Sequence, residues 1–147
     1  MKISTTRFGT IEVSDEKIIY FPSGLAGFPE ARRFVLVEHR EGSPFIWLQS
    51  VDEGALAFVL TDPLLFKSDY AVELGPEDFE ELGLQKGANG FRTLVVINLS
   101  LGSPPQMTAN LLGPIVINPQ QNRAKQVILY RSGYSHRHPF GPNGNHP

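Results

Sequence analysis

The sequence contains no cysteine. Disulfide bonds, cysteine-ligated zinc and thiol catalysis are therefore excluded, and the composition is typical of a protein in a reducing compartment. No apolar run approaches the roughly 20 residues that span a bilayer. The first residues, 1–7, turn polar after Ile3, unlike a secretory signal. We therefore expect a cytoplasmic protein without a membrane segment.

Motifs that usually mark an enzyme are missing as well. The chain has no Gly-x-Ser-x-Gly elbow, Walker-type phosphate loop or Rossmann glycine fingerprint. The acidic pair Asp52–Glu53 is adjacent in sequence, unlike the opposed carboxylates of glycoside hydrolysis. His136 and His138 have a spacing that could hold a metal, but the nearest third histidine is His146, close to the C-terminus. We predict no catalytic, cofactor or metal site.

Acidic residues are missing from the C-terminal part of the chain. All 15 of them lie at or before Glu81, whereas residues 82–147 carry only basic charges. The net charge is -2 and the bases are dispersed, so the pattern does not favour nucleic-acid binding. The asymmetry either produces an acidic and a basic face or averages out when the two halves mix in the fold.

The residues that are present predict one β domain. A chain of 147 residues, 41% of them hydrophobic, is long enough to bury a core. About nine or ten short strand-like segments at regular spacing predict an antiparallel barrel or sandwich. Phe8–Val13 and Lys17–Phe21 read as a hairpin, Phe91–Leu101 as a central strand and Gln126–Tyr130 as the last strand. We assign residues 1–140 to this domain and predict a disordered tail at 141–147.

One short helix is predicted near residues 76–83. Pro76 stands at its first position, acidic residues fill its first turn, and Gly83 provides a left-handed stop. Phe79 and Leu82 form an apolar stripe opposite an acidic exterior.

Two segments, 107–118 and 22–29, combine apolar residues with glycine and proline breaks. In segment 107–118, the Gly113-Pro114 break predicts two extended pieces, Leu111–Leu112 and Ile115–Ile117, with a corner between them. Loop 22–29 contains Leu25 and Phe28, which either close one end of a barrel or contact a partner.

Short sequence strings occur along the chain in an order and spacing that are specific to one family. They are Thr6–Gly9, Phe21–Phe28, Arg33–Leu36, Trp47–Ser50, Ala57–Pro63, Glu80–Leu84, Thr108–Asn118, Lys125–Val127 and Tyr134–Pro139. From about Thr6 to Phe140 the chain closely resembles the FliW family of flagellar assembly factors. Gly113 and the string 26–29 depart from the commoner family pattern, but both lie in turns. The resemblance implies a cytoplasmic, non-enzymatic regulator with a small antiparallel barrel-like β fold and one short helix.

The resemblance also implies two protein partners. Members of the family bind newly made flagellin, and they bind CsrA, a small RNA-binding repressor of flagellin translation. When secretion removes flagellin from the cytoplasm, the released FliW protein sequesters CsrA and translation resumes. We therefore expect flagellin and CsrA as partners, with no direct contact to nucleic acid or membrane.

The candidate contact residues are polar or loop-borne positions within the matched strings. They are Asp62, Pro63, Asn110, Asn118, Arg137 and His138, with Phe66 as an apolar anchor. The two asparagines have an alternative role, because asparagine side chains often satisfy backbone groups in turns. The helical acids Glu77, Glu80 and Glu81 form a second candidate surface, which would speed an encounter with a basic RNA-binding protein.

Two other classes of function stay open at this point. One is a β-barrel enzyme or small-molecule binder with a site in the barrel mouth, which a stabilising metal or metabolite in a thermal-shift screen would support. The other is a direct RNA binder, whose affinity would fall steeply with added salt.

Overall fold

The computed structural model describes residues 1–38, 40–102 and 104–139. This part of the chain is mostly β-structure, with one α-helix and with 3₁₀ turns at Asp15–Lys17 and Pro63–Leu65. In chain order the elements are β1 (Lys2–Thr5), β2 (Gly9–Glu12), β3 (Ile19–Tyr20), β4 (Arg33–Val37), β5 (Phe45–Ser50), β6 (Ala57–Thr61), α1 (Pro76–Leu82), β7 (Arg92–Ser100), β8 (Gln106–Ala109), β9 (Ile115–Asn118), β10 (Arg123–Gln126) and β11 (His138–Pro139). The predicted tail, 141–147, lies outside the described residues.

Seven strands form a closed barrel. Around the ring the order is β7, β6, β5, β4, β3, β10 and β9, and β9 pairs again with β7. All neighbours are antiparallel except β3 and β10, which run parallel through one residue pair, Tyr20 with Arg123. β8 and β11 extend the sheet from β7. The prediction of a barrel-like β domain is confirmed.

β9 and the middle of β7, residues 94–97, are buried on both faces. Leu94, Ile115 and Ile117 belong to the core inside the barrel, together with Phe34 and Leu48. Their sequence neighbours belong instead to a second core on the other face of the same strands, because side chains alternate along a strand. Segment 66–91, which includes α1, supplies the outer layer of that second core. Burial on both faces explains why residues 94–97 of β7 and residues 115–117 of β9 are continuously apolar.

The predicted hairpin between Phe8–Val13 and Lys17–Phe21 is wrong. β2 pairs with β1, a strand that the mixed polarity of residues 1–7 concealed. β3 instead pairs with β4 and β10, so it belongs to the barrel. The hairpin of β1 and β2 packs Ile3 and Val13 against Val35 and Val51 and forms a small third core.

The bent strand at residues 107–118 is present, but its first extended piece lies earlier than predicted. β8 and β9 pair in turn with the two halves of β7. Leu111 and Leu112 lie in the bend between them. The N–H of Asn110 donates to the carbonyl of Val96 at 2.9 Å and holds the corner against β7.

The last strand was predicted at Gln126–Tyr130. In the structure β10 ends at Gln126, the first residue of that range. Beyond it the N–H groups of Val127 and Leu129 still donate to the carbonyls of Pro114 (3.0 Å) and Leu112 (2.8 Å). Because proline has no N–H, Pro114 cannot return the second hydrogen bond of the pair, and regular pairing stops. Segment 127–129 is therefore bonded along one edge without being a regular strand.

Candidate protein-binding surfaces

The 3₁₀ turn after β6 contains the predicted contact residue Pro63, and two others, Asp62 and Phe66, flank the turn. Asp62 is exposed, and its carboxylate accepts a hydrogen bond from the N–H of Leu64 at 2.9 Å, which caps the turn. Pro63 is fully buried, so its side chain offers no surface to a partner in this conformation. Leu64 and Leu65, which the sequence reasoning did not single out, are 55% and 62% exposed.

Phe66 lies against the C-terminal strand. Its ring is 5.9 Å from the imidazole ring of His138, centroid to centroid. His138 is half-buried and pairs in β11 with Ala109 of β8, and Asn110 follows directly. Arg137 is exposed, and its N–H is held by the hydroxyl of Ser135 at 2.9 Å. The fold thus brings Phe66 and His138 into contact. Arg137 precedes His138 in the chain, and Asn110 follows the residue with which His138 pairs.

The two predicted asparagines hold backbone groups. The side-chain oxygen of Asn110 accepts from the N–H of Gly113 at 2.9 Å, inside the corner between β8 and β9. Asn118 is buried; its amide donates to the carbonyl of Leu82 at 2.8 Å, at the C-terminal end of α1. This is the alternative role considered above. Asn118 and Pro63 are buried beneath the surface, so neither side chain is exposed to a partner.

Two tyrosines whose rings are in contact hold the segment that leads to β11. The rings of Tyr70 and Tyr134 are 4.7 Å apart. The Tyr70 hydroxyl donates to the carbonyl of Leu111 at 2.6 Å, and the Tyr134 hydroxyl accepts from the N–H of Ala71 at 3.1 Å. Burial raises the pKa of Tyr70 well above its ordinary value, and the neighbouring Tyr134 adds to the rise. The Tyr70 phenol therefore stays protonated and keeps its hydrogen bond.

The acidic helix divides into a bound side and an exposed side. Lys125 of β10 places its ammonium group 2.7 Å from the carboxylates of both Asp78 and Glu81. Ser23 also donates to Glu81. Glu77 and Glu80 are exposed. Of the four acids in the helix, only Glu77 and Glu80 present a full charge to a partner.

The pKa values of the bound side follow from competing effects. Burial pushes the pKa of Glu81 upward, but hydrogen bonds from Lys125 and Ser23 outweigh it and hold that pKa below its ordinary value. Burial likewise lowers the pKa of Lys125, but the hydrogen bonds to Asp78 and Glu81 raise it overall. The pair is therefore charged at neutral pH. Here a base from residues 82–147 pairs with two acids from residues 1–81, so the sequence asymmetry partly averages out.

A groove lies beside the helix and was not predicted. It has a volume of about 520 Å³ and is lined by segment 71–75 on one bank and segment 127–132 on the other, with Asp78 and Tyr134 completing it. Tyr130 stands on its rim with 85% of its surface exposed. The sequence signal is the run Val127-Ile128-Leu129-Tyr130, which lacks the alternation of apolar and polar residues typical of a half-buried strand.

The described ranges show neither a metal cluster nor a spanning helix. No group of three His, Asp or Glu side chains there is arranged to hold a metal ion. His146, the third histidine considered above, is not among the described residues. Likewise, none of the helices described is both long and apolar enough to cross a bilayer.

These features define a class of protein: a closed β-barrel domain with an apolar interior and its polar and aromatic clusters on the outside. The sequence model of the FliW protein family matches residues 2–140. The chain belongs to this family, as the sequence strings predicted.

Individual relatives agree with this assignment. A flagellar assembly factor FliW from Geobacter sulfurreducens is 45% identical over 140 residues, which cover 95% of this chain and 86% of that protein. One from Natranaerobius thermophilus is 40% identical over 140 residues, covering 95% of this chain and 92% of that protein. A crystal structure of the flagellar assembly factor FliW has a TM-score of 0.84 and 34% identity, covering 100% of this chain and 98% of the other. These relatives carry the name of assembly factors rather than of enzymes.

Proposed function

We propose that this protein binds flagellin in the cytoplasm and, when flagellin is absent, binds CsrA and prevents it from repressing flagellin translation. The observation that carries the proposal is membership of a family of flagellar assembly factors along nearly the whole chain. Mutually exclusive binding of the two partners is all that such a switch requires. The protein acts through protein contacts, without touching RNA or a membrane.

Two surfaces are proposed to make these contacts. One lies around β11 and consists of Phe66, Asn110, Arg137 and His138; Asp62, which caps the 3₁₀ turn that precedes Phe66, is proposed as a further contact. The other is the helix surface, with Glu77 and Glu80 as its exposed charges and Glu81 beside them, paired with Lys125. The exposed acids Glu77 and Glu80 support an encounter with CsrA, because a protein that binds RNA presents basic side chains to the phosphates.

A pull-down with purified CsrA from the same organism, titrated with its flagellin, tests the proposal. We expect the protein to retain CsrA and flagellin to displace it in proportion to the amount added. The absence of binding to either partner at micromolar concentration would reject the proposal.

A further inference from the structure

We propose that the Asn89-Gly90 pair is a site of covalent self-modification, at which the side-chain amide of Asn89 is lost as ammonia and an aspartyl or isoaspartyl residue remains. The pair lies in the loop that joins α1 to β7. The reaction consumes only water and is independent of the proposed partners.

The reaction begins on the backbone. The amide nitrogen of Gly90, once it has lost its proton to hydroxide, attacks the side-chain carbonyl carbon (Cγ) of Asn89. A C–N bond forms, the side-chain nitrogen takes up a proton from water and leaves as ammonia, and a five-membered succinimide ring results. Water then opens the ring at either carbonyl carbon and gives aspartate or isoaspartate. Glycine favours the attack, because no Cβ stands beside the nitrogen and the backbone is free to bring the two atoms together.

The loop leaves these atoms free to react. The N–H of Ala88 donates to the carbonyl of Gln85 at 2.9 Å and closes a turn, and strand pairing resumes at Arg92. Between these points Asn89 and Gly90 are exposed. Among the described residues, neither their backbone groups nor the Asn89 side chain makes a hydrogen bond. A segment without such bonds changes its conformation at little cost in free energy, so it can reach the geometry of attack.

The other asparagines in the described ranges are held in place or lack the attacking group. Asn118 is followed by proline, which has no N–H. Asn110 is followed by a residue whose N–H already donates to a backbone carbonyl at 3.0 Å. Asn98 is kept extended by the pairing of β7 with β8, and the side chain of Asn122 donates to a backbone carbonyl. The structure thus singles out Asn89 among them.

The product differs from the starting protein in charge and in chain length. Aspartate and isoaspartate each add one negative charge, and isoaspartate also inserts one methylene group into the main chain. The change falls in the loop that follows the exposed acids Glu77 and Glu80 of α1. The aged protein is therefore a second, more acidic form of the same chain.

Incubation of the full chain in mildly alkaline buffer, followed by peptide mapping with mass spectrometry, tests the site. A synthetic peptide of residues 87–93 gives the rate of the unfolded sequence. We expect Asn89 in the protein to react at a rate within about ten-fold of the peptide, and the other described asparagines to stay intact. A rate at Asn89 further below that of the peptide would overturn the inference.

Replacement of Gly90 tests the route. G90A adds a Cβ that meets nothing within 4 Å, and Gly90 has no positive φ, so we expect the variant to fold. The methyl group hinders the attack and is expected to slow the loss of ammonia at Asn89 by about ten-fold. G144A makes the same change in the other Asn-Gly pair of the sequence and is the matched control, with an unchanged rate at Asn89. Equal rates in G90A and the wild type would contradict the proposal.

The charge of the product gives an independent measurement. In the G144A background, isoelectric focusing is expected to show conversion to a more acidic band, at a rate that rises with pH because the attacking nitrogen must first lose its proton. The band is expected to coincide with that of N89D. N89S has no side-chain amide at this position, so formation of the same band by N89S at an undiminished rate would overturn the inference.

Discussion

At the scale of single residues, Lys125 joins the helix to the barrel. Its stem and ammonium group are about four-fifths covered, and it is the only basic group that the described residues place within ion-pair distance of Asp78 and Glu81. Its removal would leave two carboxylates facing each other in a partly buried position. Like charges held this close without a counter-charge are unfavourable.

Replacing Lys125 with methionine is therefore expected to lower the free energy of unfolding by about 1–2 kcal/mol. Urea denaturation followed by circular dichroism measures the change. K86M is the matched control, because Lys86 is exposed in the loop after α1, and we expect its effect to stay within about 0.5 kcal/mol. Equal losses in the two variants would show that the ion pairs contribute nothing.

The same cluster predicts a pH dependence. The folded-state pKa of Glu81 lies below its ordinary value of 4.5, so its contribution is complete above that pH and is lost as the pH falls through the lower, folded-state pKa. The stability contributed by Asp52 is also lost as the pH falls, because the hydrogen bond from Arg33 lowers the pKa of Asp52. We expect E81Q to reduce, without abolishing, the loss of stability between about pH 6 and pH 3. A pH series of urea denaturation curves tests this; parallel profiles for E81Q and the wild type would contradict it.

At the scale of elements, the β1–β2 hairpin, which packs on the barrel through the third core, also approaches it closely with its backbone at Gly54. The carbonyl of Gly54 accepts from the N–H of Thr6 at 3.0 Å. A Cβ at position 54 would collide with the backbone carbonyl of Ser4. Backbone cannot move aside as a flexible side chain can, so only glycine lets the hairpin lie this close.

G54A is therefore expected to destabilise the protein by about 1–3 kcal/mol and to loosen the hairpin first. Amide hydrogen exchange at Ile3 and Ile11 reports the loosening. G90A is the control, because a Cβ at that position meets nothing within 4 Å. Unchanged exchange in G54A would mean that the hairpin tolerates the displacement.

Elements whose boundaries or apolar pattern are visible in their own residues were predictable from the sequence. Pro76 and Gly83 bound the helix at both ends, and the long apolar run of β7 had no competing interpretation. β1 was missed because a four-residue strand with one buried isoleucine has no pattern of its own. The end of β10 was missed because it depends on Pro114, a residue on the partner strand.

The candidate site was predictable only in part. The sequence marked Phe66 and His138 separately, and the fold brings their rings together. It could not distinguish Asn118, buried beneath α1, from an exposed loop asparagine, because burial is a property of the whole fold. The groove was missed for a related reason: its two banks are distant in sequence, so neither segment shows by itself that a groove is formed.

At the scale of the whole molecule, neighbouring strands of the barrel differ in how many residue pairs they share. β4, β5 and β6 pair along nearly their full lengths, whereas β3 and β10 share only the pair of Tyr20 with Arg123. The N–H of Tyr20 donates to the carbonyl of Asn122 at 2.9 Å. Local opening of a fold begins where the fewest contacts must be broken.

We expect the amide of Tyr20 to exchange with solvent far faster than that of Leu48, in the middle of β5, by at least about a hundred-fold. Hydrogen exchange followed by NMR measures both amides in one sample. Comparable protection of the two would show that the barrel opens only as a whole.

The parallel pairing of β3 with β10 also has a consequence for synthesis of the chain on the ribosome. β3 is synthesised early and β10 late, so the ring stays incomplete until nearly the whole domain has left the ribosome. Until then the inner faces of β4 to β6 are without the strands that close over them. The ring of this protein therefore cannot close during synthesis before Arg123 is available to pair with Tyr20.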